Sequence, residues 1–312
     1  MSSINTNIAS MTALQALRST NADMLRTQNR ISSGLRVADA SDNAAYWSIA
    51  TTMRGDHSSI STVSDALGLG SATAEIAAKG MESAIDIAGK IKDKLLAART
   101  PGVDRSKIQS EISELQDSLK SVINGASFNG QNWLTGDSST DTERSIVSSF
   151  TRSSDGSISI GTITVDLDAT RLMDTASAGS GGSVSGILDE TVSVGSGGSS
   201  AGTVLTLDIG ELTDSADDLA LIEAMVKHVD TAIGKMTDAA SSLGAVKTRI
   251  DIQKNFADSM KAAIDKGIGQ LVDADMNEES TRLQALQVKQ QLSIQALSIA
   301  NQGAQSILSL FR

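Results

Sequence analysis

The chain has 312 residues, a net charge of −11, no cysteine, one proline and 2% aromatic residues. The absence of cysteine excludes disulfides, thiolate metal centres and a cysteine nucleophile, and the acidity argues against nucleic-acid binding, which needs a basic face. With so few aromatics, apolar burial falls to Ala, Leu, Ile, Val and Met, a composition that suits helix seams.

Met1 to Leu17 carry no charged side chain and form neither the basic nor the apolar region of a cleavable signal peptide. By that test alone the chain is cytoplasmic. Leu17, Met24 and Ile31 recur every seven residues, with Leu14, Asn21, Gln28 and Leu35 as the companion track. This predicts a helix seam in which two polar positions fix register. The stretch "RISSGLRVADASDNAAYWSIA", Arg30 to Ala50, then interrupts the pattern. Gly34 is a helix stop, Ser41 and Asp42 are candidate caps for the next helix, and the aromatic pair Tyr46–Trp47 comes next.

From Ile60 the apolar or small positions run 60, 63, 67, 70, 74, 77, 81, 84, 88, 91 and 95, alternating steps of three and four. Pro101-Gly102 ends this helix, Asp104 caps the next, and Ile108, Ile112, Leu115, Leu119 and Val122 form its seam up to the turn at Asn124-Gly125. Residues 137–213 change character to Ser, Gly and Thr. Within them "SISIGTITVDL" and "GTVLTLDI" read as strands, the first preceded by the turn "SSDG". Two similar Gly/Ser runs, at 179–186 and 195–202, read as tips or linkers. A third long helix begins near Asp217, with the seam Leu219, Ile222, Val226, Val229, Ile233, Met236, Ala240 and Leu243.

Gln290 to Phe311 are also uncharged, but their many Gln, Asn and Ser side chains are too costly for hydrocarbon, so no membrane insertion is expected. In this last helix Leu283, Leu297 and Phe311 share one heptad track, Leu286, Ala300 and Ile307 a second, and Val288, Leu292 and Ile299 form a third stripe. Helices apolar on more than one side have several partners. Copies of the chain would supply them; an ordinary intramolecular hairpin is the alternative. The overall expectation is a mainly α chain: a long coiled-coil helical rod of paired N- and C-terminal regions with a small β-rich insert.

No phosphate-binding glycine motif and no H-E-x-x-H occurs. His57 and His228 stand alone and read as helix-surface residues, and Asp166 and Asp168 lack the rest of a calcium loop. No enzyme and no cofactor is expected.

Three motifs carry a family resemblance. "RISSGLRVADASDNAAYWSIA" is similar to the N-terminal signature of bacterial flagellins, "SFNGQNWL" (Ser127–Leu134) to the turn closing their N-terminal helical region, and Asp273–Arg312, ending "LSLFR", to their C-terminal helix. The resemblance is to an alphaproteobacterial type, and it implies a chain of three parts. Residues 1–40 with 272–312 would form an inner coiled-coil domain, 41–136 with 214–271 a helical rod domain, and 137–213 a variable outer domain. Leu14, Leu17, Met24, Ile31, Leu35, Leu283, Leu286, Leu292, Leu297, Ile299, Ile307 and Phe311 would serve filament assembly. Gly34, Arg36, Asp42, Tyr46 and Trp47 would form the joint between inner and rod domains. The implied function is a secreted, extracellular subunit that polymerises into the flagellar filament for swimming, exported uncleaved by the flagellar type III apparatus. Implied partners are other flagellin subunits, an export chaperone on the C-terminal helix, the filament cap and hook-associated proteins. A hook–filament junction protein or a surface adhesin with similar termini is the alternative. Two departures stand out: Tyr46 and Trp47 replace small residues of the family pattern, and Lys94 replaces a leucine in the segment Lys90–Lys94 aligned with the family's innate-receptor contact, which implies weak receptor activation.

Overall fold

The computed structural model describes residues 7–175, 186–191, 193–194, 199–200 and 202–310, with only the helical backbone for 303–310. Phe311 and most of the two Gly/Ser runs lie outside them. The chain is mainly α. In order, the described residues form α1 (Ile8–Ser33), α2 (Ala44–Ala98), α3 (Arg105–Gly125), eight short-to-medium strands, α4 (Ala216–Val272) and α5 (Met276–Leu310). It divides into two compact units, Met1–Ser58 with Lys261–Arg312, and Ser59–Met260.

In the larger unit all eleven predicted α2 positions, from Ile60 to Leu95, are buried. Ser64 and Ser71 donate to Asp258 and Asp251 of α4 at 2.9 Å each, Lys92 pairs with Asp230 at 3.1 Å and Arg99 with Glu223 at 2.8 Å, so α2 and α4 run antiparallel. Two α2 glycines permit close approach: a Cβ on Gly70 would meet Ile146 at 2.7 Å, and one on Gly80 would meet Ala126 at 2.7 Å and Leu134 at 2.8 Å. On α4 the predicted Ile222, Val229, Met236 and Leu243 are buried, but their companions are Met225, Ala232 and Ala239; Val226, Ile233 and Ala240 are half-buried. The helix stops behave as expected. Gly102 takes φ +81°, and the Asp104 side chain accepts from Lys107 N.

After α3, β1 (Ser127–Phe128) and β2 (Gln131–Asn132) pair across Asn129 (φ 50°) and Gly130 (φ 76°). Positive φ at both central residues is the hairpin geometry that Asn-Gly favours. Asn132 then donates to Ile123 O at 2.7 Å, closing the end of α3. β3 (Thr135–Gly136) pairs in parallel with β6 (Met173–Asp174), and β4 (Glu143–Arg152) pairs antiparallel with β5 (Ile158–Asp166) around the predicted "SSDG" turn. β7 (Ser193–Val194) pairs with β8 (Ser199–Ser200).

The expected strand over 202–209 does not form. Leu205, Leu207 and Ile209 are buried as alternation predicts, but Val204, of the opposite parity, is buried too, and the backbone is satisfied by side chains. Gln116 donates to Val204 O and Leu207 O at 3.1 and 3.2 Å, and Gln109 donates to Leu207 O at 3.2 Å and accepts from Ile209 N at 2.9 Å. Seven residues apart, these two amides share one face of α3 and stand in for a partner strand. Ile163, Val165, Leu172, Leu188, Val204, Leu207 and Ile209 all join the apolar cluster of α2, α3 and α4. These apolar side chains of the 137–213 segment thus share the helices' core. Buried Arg171 fastens it, donating to Asp168 at 2.8 Å and to the Asp141 carbonyl.

The smaller unit contains α1, α5, the first turns of α2 and the last turns of α4. Contacts run between these turns of α2 and α4: His57 Nε2 lies 3.2 Å from Asp265, and Met53 lies against Gly267.

Candidate assembly surface

The α1–α5 pair is built by helical periodicity. Along α1 the partly or fully buried positions include Ser10, Ala13, Leu17, Thr20, Met24, Thr27 and Ile31; along α5 they are Glu279, Leu283, Leu286, Gln290, Ser293, Leu297 and Ala300. Both runs alternate steps of three and four, the spacing of a helix–helix seam. Polar bonds fix an antiparallel register. Asn7 donates to Ala300 O at 2.9 Å, Gln290 donates to Asn21 at 2.8 Å, and Arg30 donates to Glu279 at 3.1 Å. Asn7 also caps α1 by accepting from Ser10 N at 3.1 Å.

The predicted track Leu17, Met24 and Ile31 faces α5. Of the companion track only Asn21 reaches α5, through Gln290; Ala13, Thr20 and Thr27 fill the seam beside it, while Leu14 and Gln28 are exposed. Small side chains let the two backbones approach. The buried Thr20 hydroxyl is satisfied by donating to Ala16 O at 2.9 Å. Leu35 is half-buried beside the small cluster of Val37, Ala50 and Val272. On α5, Leu283, Leu286 and Leu297 sit in the seam, whereas Val288, Leu292 and Ile299 are 56–69% exposed. Ile8, Met11 and Leu25 of α1 and Ile294 of α5 are exposed as well. Ile307 lies in α5, with only its backbone described.

Sequence reasoning missed Glu279. It is buried and receives both Arg30 and Arg282 on one oxygen, each at 3.1 Å. The signal was present in its spacing, seven residues before Leu286 and four before Leu283, but a carboxylate does not register in a search for apolar residues.

Between α1 and α2, Gly34 (φ +72°) caps α1 and donates to Arg30 O at 2.8 Å. Leu35 bridges Asp273, Arg36 N donates to Val272 O at 2.7 Å, and the Arg36 guanidinium donates to Leu271 O at 3.0 Å. The cap of α2 is neither Ser41 nor Asp42. Asn43 performs it, accepting from Ala45 N and Tyr46 N at 3.1 Å. Asp42 closes the preceding loop by accepting from Ala38 N at 3.0 Å. Asp39 accepts from the hydroxyl and amide of Ser41, which hold its carboxyl below the usual range. Tyr46 and Trp47 remain substantially exposed.

Nothing in the described residues assembles a reaction centre. No group of three His, Cys, Asp or Glu suited to a metal occurs among them, and no helix among them is long and apolar enough to cross a membrane. Asp166 accepts from Asp168 N as an ordinary turn, and His228 is half-buried within α4. Of Lys90–Lys94, Ile91 is buried in the core and Lys94 pairs with Glu111 of α3.

Paired terminal helices that keep apolar stripes exposed fit one class of protein, a structural subunit that associates with its own kind. Comparison with known proteins specifies which. Residues 4–139 match the bacterial flagellin N-terminal helical region, and residues 226–311 match the bacterial flagellin C-terminal helical region. The chain is 46% identical to flagellin C of Rhizobium meliloti (strain 1021) and 40% identical to a flagellin A of Rhizobium meliloti, in both cases over the whole of each chain. It is 40% identical to a flagellin of Brucella melitensis, again over the whole of both. A putative flagellar hook-associated protein from Vibrio parahaemolyticus shares the fold, with a TM-score of 0.52 at 16% identity, over 74% of this chain and all of that one. The chain belongs to the bacterial flagellin family. It is a structural subunit of the flagellar filament, an extracellular appendage for motility, and not an enzyme.

Proposed function

We propose that the subunit polymerises through the outward stripes of its terminal helices, with Leu14, Val288, Leu292 and Ile299 as contacts between copies. The supporting observation is that the α1–α5 seam is satisfied within one chain by Leu17, Met24, Ile31, Leu283, Leu286 and Leu297, leaving the third stripe uncovered. An open filament needs contacts between different faces of neighbouring copies, and a helix with two apolar faces supplies one for its own partner and one for the next. Ile307 and Phe311 extend the tracks of Leu286 and Leu297 toward the C-terminus.

In this reading residues 1–40 with 272–312 form the inner domain, 41–136 with 214–271 the rod, and 137–213 the outward region. Gly34, Arg36, Asp42, Tyr46 and Trp47 form the joint. Before export the uncovered face of α5 is held by a chaperone, because an apolar stripe of this kind associates if left free. The cap and hook-associated proteins meet the same terminal helices at the filament's ends. Seeded elongation of purified subunit, followed by electron microscopy, tests the central claim. Filaments from the parent chain and none from Leu292→Ser/Ile299→Ser support it; normal filaments from that variant overturn it.

A further inference from the structure

Methionine is the only sulfur-bearing residue in this chain, and the fold sorts its thioethers by access. Met81, Met225 and Met236 are buried in the core of the larger unit, while Met24, Met53, Met173 and Met260 are half-buried. Met11 is 63% exposed and Met276 is 43% exposed. Met11 lies one turn from Ile8 and one from Leu14, both also exposed. Met276 opens α5, beside Asp275, whose carboxylate accepts from Asn277 N at 2.8 Å. Two of the uncovered apolar residues of the terminal helices are therefore oxidisable.

A thioether packs as a flexible apolar group until it is oxidised, and the sulfoxide is polar. With hydrogen peroxide the sulfur lone pair attacks one peroxide oxygen. The O–O bond breaks, the S–O bond forms, and the second oxygen leaves as water after proton transfer. Sulfur is oxidised by two electrons and peroxide is reduced by two. The new S–O dipole needs a hydrogen-bond donor, which an apolar contact between copies does not offer.

We propose that Met11 and Met276 are peroxide-sensitive modification sites on the free subunit, and that their oxidation blocks its addition to a filament. This rests on the reading that the outward face of the terminal helices is the assembly contact. The buried Met81, Met225 and Met236 stay reduced, so the larger unit keeps its fold while the ends lose their competence.

The test treats purified monomer with dilute hydrogen peroxide, locates added oxygen by peptide mass, and measures seeded elongation. The double variant Met11→Leu/Met276→Leu is treated in parallel, each protein being compared with its own untreated sample. The expected result is oxygen on Met11 and Met276 before the buried three. Elongation should fall by at least about tenfold in the parent chain and less than about twofold in the double variant. Undiminished elongation with both sulfoxides in place overturns the proposal, as does an equal loss in the double variant. Treating assembled filaments separates the two claims. Oxidation of Met11 as fast in filament as in monomer defeats the assembly-face reading itself, whereas protection there with undiminished elongation of oxidised monomer defeats only the oxidation switch.

Discussion

Arg30 of α1 donates through Nη1 to Oε1 of Glu279 on α5 at 3.1 Å, and Glu279 is only 4% exposed. Arg282 reaches the same oxygen at 3.1 Å, so a buried carboxylate is held between two guanidiniums at the mouth of the terminal seam. Removing one partner of a buried pair leaves the other uncompensated. Glu279→Ala should destabilise the smaller unit by about 3 kcal/mol, the lower end of the range for buried pairs because the Arg30 side chain keeps some solvent contact. Urea unfolding read by helical signal, with limited trypsin cleavage near Arg26 and Arg30, measures it; an unchanged midpoint would refute the assignment.

The two faces of α5 should respond differently to the same chemistry. Leu283→Ser/Leu297→Ser removes seam contacts and should weaken monomer and filament together, by about 1–3 kcal/mol per site for half-buried leucines. Leu292→Ser/Ile299→Ser should leave monomer unfolding within about 0.5 kcal/mol of the parent, as surface changes do, while elongation fails. Thermal melts beside elongation assays distinguish them.

Amide exchange reports the same division. Thr20 and Thr27 are the buried residues of α1, so most of its surface meets water in the free chain. Helices with few buried contacts open easily. Protection over 8–33 should be weak in dilute monomer and rise by orders of magnitude in filaments, whereas α2 between Ile60 and Leu95 should be protected in both. Strong protection of α1 in monomer would count against assembly-coupled ordering.

Tyr46→Gly/Trp47→Ala tests the joint. Both side chains are substantially exposed in the single chain, and large aromatics supply much of the contact area where copies meet. The variant should shorten filaments under shear or heating more than it lowers the melting temperature of monomer. An equal loss in both would place the contact within one chain.

Two carboxylates give opposite pH signatures. Burial pushes the Asp189 carboxyl up, against a hydrogen bond from Asp174 N–H and with the Asp174 charge adding to the rise. A raised folded pKa contributes stability that is full below the unfolded value, about 4, and is lost as pH rises through the folded value. Asp189→Asn should therefore raise the urea midpoint at pH 7 relative to the parent and change it less at pH 3. Asp104 behaves inversely. The Lys107 side chain and amide hold its carboxyl low, so its contribution is present above the unfolded value and disappears as pH falls through the folded one. Asp104→Ala should cost stability at pH 7 and little at pH 2.

The sequence by itself determined the long helices, their stops at Gly34 and Pro101-Gly102, the Asp104 cap, the strand β5 with the turn before it, and all eleven buried positions of α2. Each is a local matter: a turn that needs positive φ, a side chain that reaches an orphan amide, or a stripe whose three-and-four spacing is unbroken. Tertiary structure decided which side of a stripe finds its partner. On α1 the companions of Leu17 and Met24 are Ala13, Thr20 and Thr27 rather than Leu14 and Gln28, with Asn21 at the seam's edge; on α4 the companions of Val229 and Met236 are Met225, Ala232 and Ala239 rather than Val226, Ile233 and Ala240. Both differ by one residue in the same direction. Every helical residue has neighbours at three and four positions on either side, so periodicity leaves two choices, and only the position of the opposing helix selects one. The same holds for 202–209, where alternation predicts burial of Leu205, Leu207 and Ile209 but not of Val204, and the Gln109 and Gln116 amides, about a hundred residues away in sequence, replace the strand partner. The exposed stripe at Val288, Leu292 and Ile299 has the same origin. Its apolar character is written in the sequence, and its lack of a partner within the chain comes from where α1 packs.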